Sequence, residues 1–169
     1  VSGQLDLKMY GPGVNVHYVG KTEGGGPKGP LDGDRRRSIY QRVRRNAHNP
    51  FLEAFDAPKP AGTRGKRDIT NVPVQSLTLL NDPFVIEQAD RWASALIADG
   101  RSREARIRSM FIRALGRPPS AGELALSQEH LGELASEHQV DPSAVDSHPA
   151  TWQDFAQSLF CLKEFIFIH

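Results

Sequence analysis

Nine of the fifteen glycines fall within the first 33 residues, together with Pro12, Pro27 and Pro30. Apolar residues in that stretch are isolated, apart from Val14, Val16 and Tyr18, which alternate along a short β-like run. So little apolar surface cannot offset the entropy of ordering the chain. Residues 1–33 are therefore predicted as a Gly-rich extended arm with at most one short strand. The fold must come from 34–169. The opening at Val1, with no Met, reads as an interior portion of a longer protein.

Beyond Asp34 the apolar spacing turns helical. Ile39 and Val43, four apart among arginines, suit a short helix with one apolar edge, though the alternation Ile39-Gln41-Val43 fits a strand as well. Asn49-Pro50 reads as a cap and first helical residue for a turn through Phe55. Pro58, Pro60, Gly62 and Gly65 predict an irregular loop. Pro73 starts a helix to about Asn81, capped by Asn71, and Asp82-Pro83 starts another that stops at Gly100. After Ser102, the residues Ile107, Met110, Phe111, Ala114 and Leu115 fall at i, i+3, i+4, i+7 and i+8, a buried helical stripe. Gly116 with Pro118-Pro119 ends it. Ser120 and Glu123 predict a capping box for a helix to about Gln139, and Thr151 with Asp154 predicts a second box. The tail Phe165-Ile166-Phe167-Ile168 is apolar on both parities and is expected to be pinned into the core. The fold class is mainly α: a compact bundle of five or six helices over 34–169, with the arm at 1–33.

Charge is unevenly placed. The formal net charge is +1, yet residues 35–67 hold ten basic groups against Glu53 and Asp56, while residues 117–169 hold eight carboxylates against Arg117 and Lys163. Such asymmetry marks either a polyanion partner or two parts of one fold that attract each other. No stretch approaches the ~18 consecutive apolar residues of a membrane span. A single cysteine excludes a disulfide framework and a four-thiolate metal site.

Catalytic and metal motifs are incoherent. Gly20-Lys21-Thr22 resembles the end of a phosphate loop, but Asn15 stands where a glycine is needed and Glu23–Pro27 cannot continue as a helix. Of the six histidines, His130 and His138 share a helix yet stand two turns apart, and His17, His48, His148 and His169 show no ligand spacing, so no metal site is assigned. Cys161, between Phe160 and Leu162, reads as a small core hydrophobe rather than a nucleophile. Glu129, Glu133 and Glu137 read as a solvated face. The candidate anion-binding residues are Arg36, Arg37, Arg44, Arg45, Arg64 and Arg67, whose guanidinium forks match phosphate, sulfate or carboxylate. Asp56 and Asn71 are polar loop candidates.

Several blocks resemble a known family. They are Arg36-Arg37-Ser38-Ile39-Tyr40, Val43-Arg44-Arg45, Ala54-Phe55-Asp56-Ala57-Pro58, Thr70-Asn71-Val72-Pro73-Val74-Gln75-Ser76-Leu77, Leu80-Asn81-Asp82-Pro83 and Ala114-Leu115-Gly116-Arg117-Pro118-Pro119, closing on Lys163-Glu164-Phe165-Ile166-Phe167-Ile168. In this order, from about residue 35 to the end, they resemble the C-terminal domain of unknown function of the planctomycete cytochrome c-associated exported proteins. The resemblance implies an extracytoplasmic setting (periplasmic or secreted). It also implies upstream domains of the same polypeptide as partners, and a haem domain elsewhere rather than a cofactor in this segment. It supplies no catalytic residues.

Three functions are compatible with these readings. The first is a non-catalytic packing or docking module of a larger exported protein. The second is a binding module for an anionic polymer, a sulfated glycan or nucleic acid, through residues 35–67. The third is part of an enzyme site completed by an upstream domain, with Asp56, Arg67 and Asn71 as first candidates.

Overall fold

The computed structural model describes residues 1–20, 26–58 and 73–166. It is mainly helical, with seven α-helices and three short 3-10 turns among the described residues. Backbone contacts group the chain into two compact units, Gln4–Phe84 and Val85–His169, the latter with Val1–Gly3.

The unit Gln4–Phe84 contains α1 (Pro50–Ala54) and α2 (Pro73–Asn81). Asn49 caps α1 through Oδ1, which accepts from the N–H of Phe51 at 3.0 Å and of Leu52 at 3.2 Å, and Pro50 takes the first helical position. Residues Ser38–Tyr40 form a 3-10 turn rather than the short helix expected over Ser38–Asn46. Past that turn the chain is extended and pairs in parallel with the arm: the Val14 N–H donates to the Tyr40 carbonyl at 2.9 Å and the Arg42 N–H to the Val14 carbonyl at 2.8 Å. The expected apolar edge is not buried, because Ile39 and Val43 are 84% and 78% exposed. These pairings are isolated bridges, and no strand forms among the described residues. Val16, Tyr18 and Ala47 make a three-residue core, so the alternation Val14-Val16-Tyr18 does place one edge inward.

The unit Val85–His169 holds the remainder of α3 (Pro83–Ala98), then α4 (Arg103–Leu115), α5 (Ala121–Glu137), α6 (Pro149–Phe160) and α7 (Lys163–Ile166). Its core takes Ala89, Trp92, Ala93 and Leu96 from α3, Ile107, Met110 and Phe111 from α4, and Leu131 and Ala135 from α5. Helix α6 packs against α4, α5 and α7 and buries Thr151, Trp152, Phe155, Ala156, Leu159 and Phe160. Each large apolar side chain buried here contributes about 1.5–3 kcal/mol relative to exposure. The Trp92 and Phe160 rings stack at 5.5 Å, and Trp152 Nε1 donates to the Val145 carbonyl at 3.1 Å.

Three caps in this unit follow the sequence. Ser102 Oγ accepts from the Ala105 N–H, Gly116 ends α4 in the left-handed region at φ 74°, and Ser120 and Glu123 complete a capping box. A fourth differs. Thr151 and Asp154 form no box, because α6 starts two residues earlier at Pro149 and His148 is its cap. Proline fits the first helical position, which moves the helix start ahead of Thr151 and leaves that hydroxyl buried. In the tail, Phe165 packs on Phe160 at 5.0 Å, but Phe165 and Ile166 are only half-buried rather than pinned into the core, and Phe167 and Ile168 lie outside the described residues.

Candidate functional site

The basic stretch is organised around Arg36, on the extended link between two 3-10 turns. Its Nη1 donates to the Pro12 carbonyl at 3.0 Å, and its Nη2 donates to the carbonyls of Tyr10 at 2.5 Å and Lys8 at 3.4 Å. The guanidinium carbon lies 3.9 Å from the Tyr40 ring centroid, while the Tyr40 hydroxyl accepts the Tyr10 N–H at 3.1 Å. Arg42 Nε donates to the Gly13 carbonyl at 2.9 Å. A guanidinium presents rigid forked donors, and here the fork matches successive backbone carbonyls of a segment too glycine-rich to satisfy them by its own secondary structure. The arm is held to the chain by arginines.

Arg44 plays a related part: its half-buried guanidinium lies where a side chain on Gly26 would stand. Gly26 also has φ +68°, so both the close approach and the backbone conformation require glycine. Arg37 and Arg45 are exposed and form no ion pair among the described residues. Arg64, Arg67 and Asn71 lie outside the described residues. Asp56 is half-buried just after α1, at φ 61°. The structure thus brings Arg36, Arg42 and Arg44 onto the arm and leaves Arg37 and Arg45 at the surface.

The other reactive groups are occupied structurally. Cys161 is half-buried and burial pushes its thiol pKa up, which keeps it protonated rather than nucleophilic. Arg117 grips two carboxylates, Glu123 at 2.7 Å and Glu164 at 2.7 Å, and so ties α5 to α7. Those two contacts raise the Arg117 pKa further, and Arg117 with the Ser120 cap holds the Glu123 carboxyl down to about 2. Arg106, buried, donates to the Asp146 carbonyl and lies 5.3 Å from the Trp152 ring centroid.

One constellation is invisible in the spacing. His138, at the end of α5, contacts Asp154 through Nε2 at 2.7 Å, and its ring lies 5.5 Å from that of His148. Two helix ends bring these three together, and a periodicity reading along one helix cannot show it. Among the described residues, no group of three or more His, Cys, Asp or Glu could hold a metal ion. Nor is any described helix long and apolar enough to cross a membrane.

No curated protein and no solved structure gives a significant match to this chain. A family profile, PSD1, protein of unknown function (DUF1553), matches residues 1–131. The match takes in the arginine-held arm, which the blocks quoted from the sequence leave out, and stops inside α5. With most of its length matched, the chain belongs to the PSD1 family of proteins of unknown function.

Proposed function

We propose that this chain is a non-catalytic packing and docking module of a larger exported protein. The observation that carries this reading is the exposed apolar surface within Gln4–Phe84: among the described residues Val16, Tyr18, Ala47 and Leu79 are buried, while Leu5, Leu7, Met9, Ile39 and Val43 are all exposed. Leu5, Leu7 and Met9 alternate along an extended segment, a pattern suited to covering by another polypeptide surface. The arginines that could have served chemistry instead fix the arm beside it. Family resemblance supports other domains of the same polypeptide as the partner. It also supports an extracytoplasmic location, a planctomycete source and association with a cytochrome c domain carried elsewhere in the protein.

Hydrogen–deuterium exchange on the longer polypeptide and on this 169-residue chain tests the reading. Slower exchange at residues 5–9 and 39–43 in the longer protein supports docking there; equal exchange in both rejects it. The exposed, carboxylate-free Arg37 and Arg45 favour a second reading, binding of an anionic polymer. Affinity for heparin or DNA that falls steeply with salt, and falls again in Arg37→Gln/Arg45→Gln, would support that reading over the first.

A further inference from the structure

A cleft of about 170 Å³ opens within Gln4–Phe84. Its apolar side is formed by Phe51 and Phe84, whose rings meet edge to face at 5.6 Å, with Leu31 and Pro50 beside them. Three polar side chains also line it, each with hydrogen-bonding capacity not taken up by the described residues. One is His17, whose Nδ1–H donates to the Gly29 carbonyl at 3.2 Å and so leaves Nε2 as a free acceptor in the neutral ring. The others are the Ser38 hydroxyl and the Gln41 amide.

Two carboxylates complete the lining, each with one oxygen committed. Asp32 Oδ1 accepts the Asp34 N–H at 3.0 Å and Asp82 Oδ1 accepts the Phe84 N–H at 2.8 Å, which leaves Oδ2 of each as an acceptor. Arg36 reaches the cleft as well, but its terminal nitrogens are spent on arm carbonyls.

We propose that this cleft binds one neutral sugar ring, with its C–H face on Phe51 and Phe84 and its hydroxyls shared among His17, Ser38, Gln41 and Asp32. Aromatic walls facing convergent polar groups are the general pattern of a small-ligand site. At about 170 Å³ the cleft is close in size to the ~150 Å³ engineered cavity that takes up a single benzene, room for one ring. Two carboxylates against one committed guanidinium disfavour an anion. An aromatic hydrocarbon would leave five polar groups unpaired, whereas a sugar offers donors to the acceptors and an acceptor to the Gln41 amide.

The test is saturation-transfer and amide-shift NMR on the 169-residue chain. The probes are the methyl glycosides of glucose, galactose, mannose and xylose, with a sulfated galactoside and phenol as separate arms. Binding in the millimolar range by a neutral glycoside is expected, with saturation strongest on ring C–H protons and shifts at His17, Gln41 and Phe84. Gln41→Ala is expected to weaken it about five-fold, the worth of one hydrogen bond. Ser38→Ala, at an exposed position, supplies the same test should Gln41→Ala fail to fold. The proposal is overturned by silence from all four glycosides, by tighter binding of the sulfated sugar or of phenol, or by unchanged affinity in the folded variants.

Discussion

The imidazole of His148 stands where a helix ordinarily carries serine or aspartate: its Nδ1 accepts the Thr151 N–H at 3.3 Å, with the Thr151 hydroxyl 2.9 Å from the same nitrogen. Helix α6, which supplies the largest share of the buried aromatic core, therefore starts on a ring nitrogen that must keep its lone pair. A cap truncated to alanine costs about 1 kcal/mol. His148→Ala is expected to lower stability by that amount in urea unfolding, whereas His148→Asn, which retains an acceptor, should lose less than half as much. Equal losses in both variants would show that ring packing against His138, and not the cap, is what His148 provides.

Arg36 replaces carboxylate partners with backbone carbonyls. Arg36→Lys keeps the charge but loses the fork, so it should release the arm nearly as fully as Arg36→Ala. The measurement is amide exchange at the Val14 and Arg42 N–H groups, both of which pair the arm with residues 40–42. Exchange should accelerate at least ten-fold in both variants, with Trp92 and Trp152 fluorescence unchanged. A lysine variant that exchanges like the parent would mean that charge alone holds the arm.

The helices were legible because their signals are local. Pro73, Pro83 and the Ser120–Glu123 box each act within one turn of chain, and the stripe Ile107-Met110-Phe111 is read from one helix alone. The arm was not legible in the same way. Nothing in the glycine-rich stretch indicates that its carbonyls meet a guanidinium 24 to 28 residues away. The charge asymmetry suggested carboxylates or a polyanion as partners for the arginines, and uncharged carbonyls leave no mark in composition. His138 and His148 likewise meet across a loop, so their pairing is set by tertiary packing. The cleft of His17, Gln41 and Phe84 draws on three separate segments, each unremarkable alone.

The carboxyl of Glu123 is held down to about 2, first by Arg117 and then by the Ser120 cap. A carboxylate whose folded pKa lies below its unfolded value contributes stability above the unfolded pKa, and that contribution disappears as pH falls toward the folded one. The window is therefore from about pH 4.5 down to about pH 2. The side chain is about 35% exposed, so the effect is small and salt-sensitive. Thermal melts across that window should show the parent losing more stability on acidification than Glu123→Gln. Parallel curves would place the acid sensitivity in other carboxylates.

Gly29 is buried, and a Cβ placed there would overlap the Asn15 carbonyl. Its own N–H donates to the Val16 carbonyl at 2.9 Å, and its carbonyl accepts from His17, so both backbone groups are committed at the point of closest approach. Gly29→Ala must push the two segments apart, at a cost of about 1–3 kcal/mol as for other overpacked sites. Gly20 makes no such approach, since a Cβ there meets nothing within 4 Å, although its φ of +84° still carries backbone strain. Gly20→Ala should therefore destabilise Gln4–Phe84 mildly. Gly29→Ala should also break the Val16 pairing and with it the orientation of His17, seen as faster exchange of the Gly29 amide and a displaced His17 ring resonance. If Gly29→Ala behaves no worse than Gly20→Ala, the close contact between arm segments is absent in solution, and the cleft that His17 lines loses its support.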